Sequence, residues 1–209
     1  MPVLFLYVLE YGPVRKTSSK LIDSYFEHRL GLSKEETVRV RNEYRRKYGL
    51  ALEGLVNNYQ IDPLEYNSMV ADAIALDSLI KPDAKLCRLL QDIDQSKVKL
   101  WLFTNAYVTH AQRVVRLLGV DKFFEGITYC DYAKVPIICK PQAQMFKMAM
   151  RAAGVEDNAD CYFVDDSFKN CQGARQFGWT AASQYQIRSL EELRTLFPHF
   201  FKRSDNNRD

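Results

Sequence analysis

The chain has 209 residues, of which 47% are apolar and 26% charged, an ordinary globular balance that excludes extensive disorder and collagen-like repeats. A chain of this length buries roughly 70% of its unfolded surface, enough for one domain or a core with one insert. The net charge of +3 is too small to indicate a nucleic-acid partner, and no apolar run reaches the ~20 residues that a membrane-spanning helix needs.

Five scattered cysteines (Cys87, Cys130, Cys139, Cys161 and Cys171) include no C-x-x-C pair. Neither a zinc site nor a disulfide framework is expected, and free thiols suit a reducing, cytoplasmic (or also nuclear) setting. Pro2 to Leu9 is almost wholly apolar and predicts a buried strand ended by Tyr11-Gly12-Pro13. It is short for a signal-peptide core and has no basic region before it.

From about Ser18 to Ile80 the grammar is helical. Leu21, Ile22, Tyr25, Phe26 and Leu30 recur at helix spacing. Ser33 with Glu36 reads as a capping box, and Asp62-Pro63 as a cap followed by proline at the first helical position.

Beyond Pro82 strands and helices alternate. Val98 to Phe103 is a strand ending in Thr104-Asn105-Ala106, and a helix follows to Leu118. Ile127 to Tyr129 is a short strand, and Gln142 to Ala153 a helix. Cys161 to Val164 is a strand ending in Asp165-Asp166; a helix to Phe177 and a strand from Trp179 to Ala182 come next. A last helix is expected over Leu190 to Phe197, before a polar, frayed tail from Lys202 to Asp209. This alternation predicts an α/β fold with a doubly wound parallel sheet, which binds ligands beyond the carboxyl ends of its strands.

Three polar clusters stand at those ends. Thr104 and Asn105 bring a hydroxyl and an amide to the start of a helix, where backbone N–H groups favour a phosphate. Lys140-Pro141 precedes another helix, and its ammonium suits a phosphate or neighbouring carboxylates. Asp165 and Asp166 are adjacent carboxylates that ask for a cation, for which Mg²⁺ is well suited, with Asn170 about one helical turn on to orient Asp166 or the loop. Taken singly, each cluster also reads as ordinary turn, surface or cap residues.

Their order resembles the haloacid dehalogenase (HAD) superfamily: Thr104 at its second motif, Lys140 at its third, Asp165-Asp166 at its fourth, and a helical cap before Thr104. Tyr48 to Leu55, Trp101 to Tyr107, Gly126 to Tyr132 and Cys139-Lys140-Pro141 look like the fungal pyrimidine 5′-nucleotidase branch. The resemblance implies a Rossmann-type core over residues 83–209, a small all-helical cap over 18–82, and an atypical N-terminal segment over 1–17 whose Val3 to Leu9 would replace the family's first strand. It further implies Mg²⁺-dependent hydrolysis of a small phosphomonoester, most readily a pyrimidine nucleoside 5′-monophosphate. Thr104 and Lys140 would hold the phosphoryl oxygens, Asp165 and Asp166 the metal, and Asn105, Tyr48 and Glu53 (with Asn57) would contact substrate. A small-molecule partner is implied, with neither nucleic acid nor membrane, and the oligomeric state stays open.

One departure stands out. The family carries Asp-x-Asp at the end of its first strand, where the first aspartate attacks phosphorus and the second protonates the leaving oxygen. No aspartate precedes Asp23 here, and the acid closest to the apolar stretch, Glu10, is followed two residues on by Gly12. Glutamate is one methylene too long, and a displacement of about 1 Å costs roughly 10²-fold in rate. With a cap starting near Ser18 as in the family, the missing strand would fall largely before residue 1.

The chain as written is therefore expected to be inactive. Either an upstream segment carries the aspartates, or the chain is a non-catalytic relative that binds phosphate, nucleotide or a partner. A dehalogenase of the same fold needs the missing nucleophile too. Arg41, Arg45, Arg46 and Lys47, interleaved with glutamates, read as a solvated helix face.

Overall fold

The computed structural model describes residues 1–7, 12–183 and 189–202. Its strands are β1 (Val3–Leu6), β2 (Lys99–Phe103), β3 (Gly126–Thr128), β4 (Cys161–Asp165) and β5 (Thr180–Ser183). The helices before β2 are α1 (Gly12–Leu30), α2 (Lys34–Tyr48), α3 (Ala51–Tyr59), α4 (Pro63–Val70), α5 (Leu76–Leu79) and α6 (Ala84–Gln91). Those after it are α7 (Val108–Leu118), α8 (Ala143–Ala153), α9 (Phe168–Gln176) and α10 (Leu193–Leu196).

The described strands form one parallel sheet in the order β3-β2-β1-β4-β5. β1 is central: Leu6 pairs with Leu102 on one side and Val164 on the other. All its residues are buried, as a strand covered on both faces requires. Alternate side chains go to opposite faces. Leu4 and Leu6 join Leu100, Leu102 and Val164 in one core, while Val3 and Phe5 join Phe103, Phe146, Phe163 and Trp179 in another. The Phe5 and Trp179 rings stack with centroids 4.5 Å apart.

Helices α1 to α4 bury a third cluster, centred on Phe26, Leu52 and Leu55, which also takes in Cys130, Ile137 and Cys139 from the loop before α8. The Ser33–Glu36 capping box forms, with the Glu36 amide donating to Ser33 Oγ (3.3 Å) and the Ser33 amide to Glu36 Oε2 (3.0 Å). Asp62 caps α4 through the Leu64 amide (2.9 Å).

Some boundaries differ from the sequence reading. α1 starts at Gly12 rather than near Ser18, because Pro13 in its first turn is preset for helix while the apolar stripe begins only at Leu21. The segment expected as a helix over Leu190 to Phe197 is a 3₁₀ turn (Leu190–Glu192) followed by the one-turn α10. Val8, Leu9 and Glu10, and the tail beyond Lys202, lie outside the described residues.

Candidate functional site

The carboxyl ends of β1, β2 and β4 open into a cavity of about 480 Å³ whose other wall is helical. That volume is in the range of small-ligand sites. Thr104, Asn105, Lys140, Asp165, Asp166 and Asn170 all line it. Residues far apart in sequence meet there because parallel strands deliver their ends to one edge.

At the cavity floor the Lys140 ammonium donates to Asp165 Oδ2 (2.6 Å) and to the Phe103 carbonyl oxygen (2.7 Å). It also lies over the Phe103 and Phe163 rings, 4.7 and 5.1 Å from their centroids. Asp165 Oδ1 accepts from the Ser167 amide (2.8 Å) and from Asn170 Nδ2 (2.9 Å). Asn170 thus orients Asp165, not Asp166. A buried ion pair persists only when its remaining donors and acceptors are satisfied, and this one is built that way.

Asn105 works on the backbone. Its Nδ2 donates to the Lys140 carbonyl oxygen (3.0 Å) and its Oδ1 accepts from the Lys140 amide (2.8 Å), a two-point clamp on the lysine loop. Thr104 Oγ1 accepts from the Ala106 amide (3.0 Å), which aims its hydroxyl beside the start of α7. No side chain of Tyr107 caps that helix.

Two residues expected to contact substrate do not line the cavity. Glu53 points from α3 at the loop: Cys139 Sγ donates to its Oε2 (3.3 Å) and Gln142 Nε2 to its Oε1 (3.0 Å). Burial raises its carboxyl pKa, and the hydrogen bonds from Cys139 and Gln142 lower it by less. Burial likewise pushes the Cys139 thiol well up, so it stays a donor. The Tyr48 ring packs edge-on against Tyr44 and its hydroxyl accepts from Asn58 (3.4 Å). Rotation of a helix about its axis decides such facing, and spacing alone does not give it. Asn57, the other helical candidate, is exposed on α3 and lines no part of the cavity.

The same loop explains Gly49. Its φ of +89° favours glycine, and a Cβ there would stand 2.6 Å from the Lys140 carbonyl oxygen and 2.7 Å from Pro141 Cδ. Helical unit and lysine loop meet backbone to backbone.

The cavity also receives residues that sequence reasoning missed. Tyr7 follows β1, one residue past the Leu6–Val164 pair, and its amide donates to the Val164 carbonyl oxygen (3.0 Å). Its ring lies 5.3 Å from Lys140 Nζ. Tyr7 therefore stands at the strand end between Phe103 and Asp165, where an apolar run gave no sign of a site. Arg15, Arg45 and Lys169 line the cavity as well. Arg45, read as part of a solvated face, belongs to it; its neighbour Arg41 pairs instead with Asp23.

The donors can be compared with what Mg²⁺ requires. The ion takes one or two carboxylates, with waters and phosphate oxygens completing an octahedron. Both Asp165 oxygens already accept from Lys140, Ser167 and Asn170, which leaves Asp166 as the remaining carboxylate on the wall. The strand end that should add another carboxylate holds Tyr7. Among the described residues no group of three or more His, Cys, Asp or Glu side chains gathers. This set offers Mg²⁺ fewer carboxylates than the family's pattern, and the ammonium of Lys140 supplies positive charge beside Asp165.

Comparison with known proteins gives the family. Residues 15–178 match the family described as "Hydrolase: haloacid dehalogenase-like hydrolase". Phosphate metabolism protein 8 of Saccharomyces cerevisiae is 39% identical over 166 residues, covering 75% of this chain. The chain spans about half (51%) of that relative's length. Among solved structures, β-phosphoglucomutase from Clostridium difficile aligns with a TM-score of 0.60 at 14% identity, covering 96% of this chain and 98% of its own. A HAD family enzyme from Bacteroides thetaiotaomicron, solved with magnesium and inorganic phosphate, aligns at 0.53 and 18% identity over 92% and 98%. Both structures share the fold, a parallel sheet flanked by helices. With the family match running from Arg15 to Gly178, the chain belongs to the haloacid dehalogenase-like hydrolases.

Proposed function

We propose that this chain binds a small phosphomonoester, with nucleoside 5′-monophosphates the leading class, in the cavity at the strand ends, and does not hydrolyse it. The observation that carries this reading is Tyr7 at the end of β1, one residue past its last pair with β4. The aspartyl route of the family needs a carboxylate there, and the Tyr7 phenol cannot form the acyl phosphate of that route.

The rest of the wall supports binding. The Thr104 hydroxyl and the first turn of α7 suit phosphoryl oxygens, with Lys140 behind them. Arg15, Arg45 and Lys169 face Asp166 alone once Lys140 and Asp165 neutralise each other, so the cavity favours an anion. Tyr7, Tyr66 and Tyr132 add rings against which a base can pack. No resident Mg²⁺ is required, since the cationic side chains supply the charge.

A second reading, a working phosphatase in which another group attacks, is favoured by the presence of Thr104, Lys140, Asp165 and Asp166 in one cavity. Calorimetry with uridine 5′-monophosphate separates binding from no function: saturable binding by the wild type, weakened about tenfold in Thr104→Val, supports the site. Absence of binding contradicts it. Phosphate release from the same samples would favour the second reading.

A further inference from the structure

We infer that the cavity holds a second anion subsite, built by Arg15 and Arg45, and that its ligand is a small molecule with two anionic groups separated by a neutral spacer: a bisphosphate or a phosphorylated acid. The inference rests on the reading of the strand ends as a phosphate site and names what lies at the other end of the ligand.

The two arginines come from different helices. Arg15 is in the first turn of α1 and Arg45 in the last turn of α2, yet both line the one cavity that also holds Thr104 and Lys140. Two other arginines of these helices have carboxylate partners: Arg29 pairs with Glu65 (3.2 Å) and Arg41 with Asp23. Among the described residues no carboxylate pairs with Arg15 or Arg45. Lys169, which also lines the cavity, donates to the Arg46 carbonyl oxygen at the end of α2 and adds a third cation beside them.

One phosphoryl group does not account for this charge. At the strand ends it has Thr104, the start of α7 and Lys140, and the Lys140 charge is met by Asp165. The guanidinium forks belong to the helical wall and present paired N–H donors that match a carboxylate or a second phosphate. A cavity of about 480 Å³ holds a ligand of nucleotide or sugar-phosphate size with room for both ends.

The test is calorimetry on the full 209-residue chain with two matched pairs of probes: uridine 5′-monophosphate against uridine 3′,5′-bisphosphate, and glycerol 3-phosphate against 3-phosphoglycerate. In at least one pair the second anion should tighten binding about tenfold or more, the scale of a charge-assisted contact. The double variant Arg15→Gln/Arg45→Gln should erase that gain, so that each two-anion probe binds the variant no more tightly than its one-phosphate partner binds the same variant. Both side chains are exposed, so the fold should survive, and circular dichroism checks it. Binding of the monophosphates with no gain in either pair overturns this inference alone. A gain that survives the double variant overturns the assignment to Arg15 and Arg45. Failure of all four probes overturns the phosphate-site reading, and this inference with it.

Discussion

Lys140 Nζ lies 2.6 Å from Asp165 Oδ2, and each side chain is 1% exposed. Removing one partner strands the other charge in a dry site, which typically costs about 3–5 kcal/mol. Lys140→Met and Asp165→Leu should each lower the unfolding free energy from urea titration by that order, whereas the double variant should recover much of the loss because no lone charge remains. Equal losses that simply add would show that the pair is not a unit.

Gly49 and Lys140 set the seam between helical unit and core. A side chain at Gly49 meets both a left-handed φ and the Lys140 carbonyl oxygen. Gly49→Ala should destabilise by more than about 1 kcal/mol, the cost of φ strain alone. It should also weaken phosphate binding by shifting the loop. Unchanged melting and binding would mean the seam is loose.

Glu53 gives the protein a signed pH dependence. Burial holds its folded pKa above the ordinary 4.5, so the folded state keeps the proton more tightly than the unfolded chain does. Stability from this group is therefore fully present below the ordinary value and is lost as pH rises through the folded pKa. Glu53→Gln should flatten that part of the stability–pH curve in melts taken across the acid range. A curve of unchanged slope in the variant would rule Glu53 out as its source.

Tyr7→Asp puts a carboxylate at the end of β1, close to Lys140 and to the strand end bearing Asp165 and Asp166. The variant should gain Mg²⁺-responsive phosphate binding that the wild type lacks, read by calorimetry with and without the metal. Equal metal responses in both proteins would place the Mg²⁺ question elsewhere than at Tyr7.

How much of this the sequence disclosed depends on the kind of residue. Thr104 and Asp165 were legible as polar residues at the ends of apolar strands, whereas Lys140, which precedes a helix, was singled out by the order of the three clusters and the family resemblance. Asn105 and Asn170 were found, but their work on the Lys140 backbone and on Asp165 was hidden, since it depends on contacts across 35 and 5 residues. Tyr7 was illegible because an aromatic residue continues an apolar run without a break. Arg15 and Arg45 were lost among exposed charges, as only the tertiary packing of α1 and α2 brings them to one cavity. Tyr48 at the end of α2 and Glu53 on α3 face away from the cavity, because packing sets the rotation of those helices against the lysine loop.

The most direct test is one titration with uridine 5′-monophosphate, run in EDTA and again with Mg²⁺, with inorganic phosphate assayed in the same cell afterwards. Saturable binding with the same affinity in both buffers, and no phosphate above the protein-free blank, is the predicted result. Mg²⁺-dependent release of phosphate by the purified chain would contradict it, because Tyr7 would then not have silenced the site.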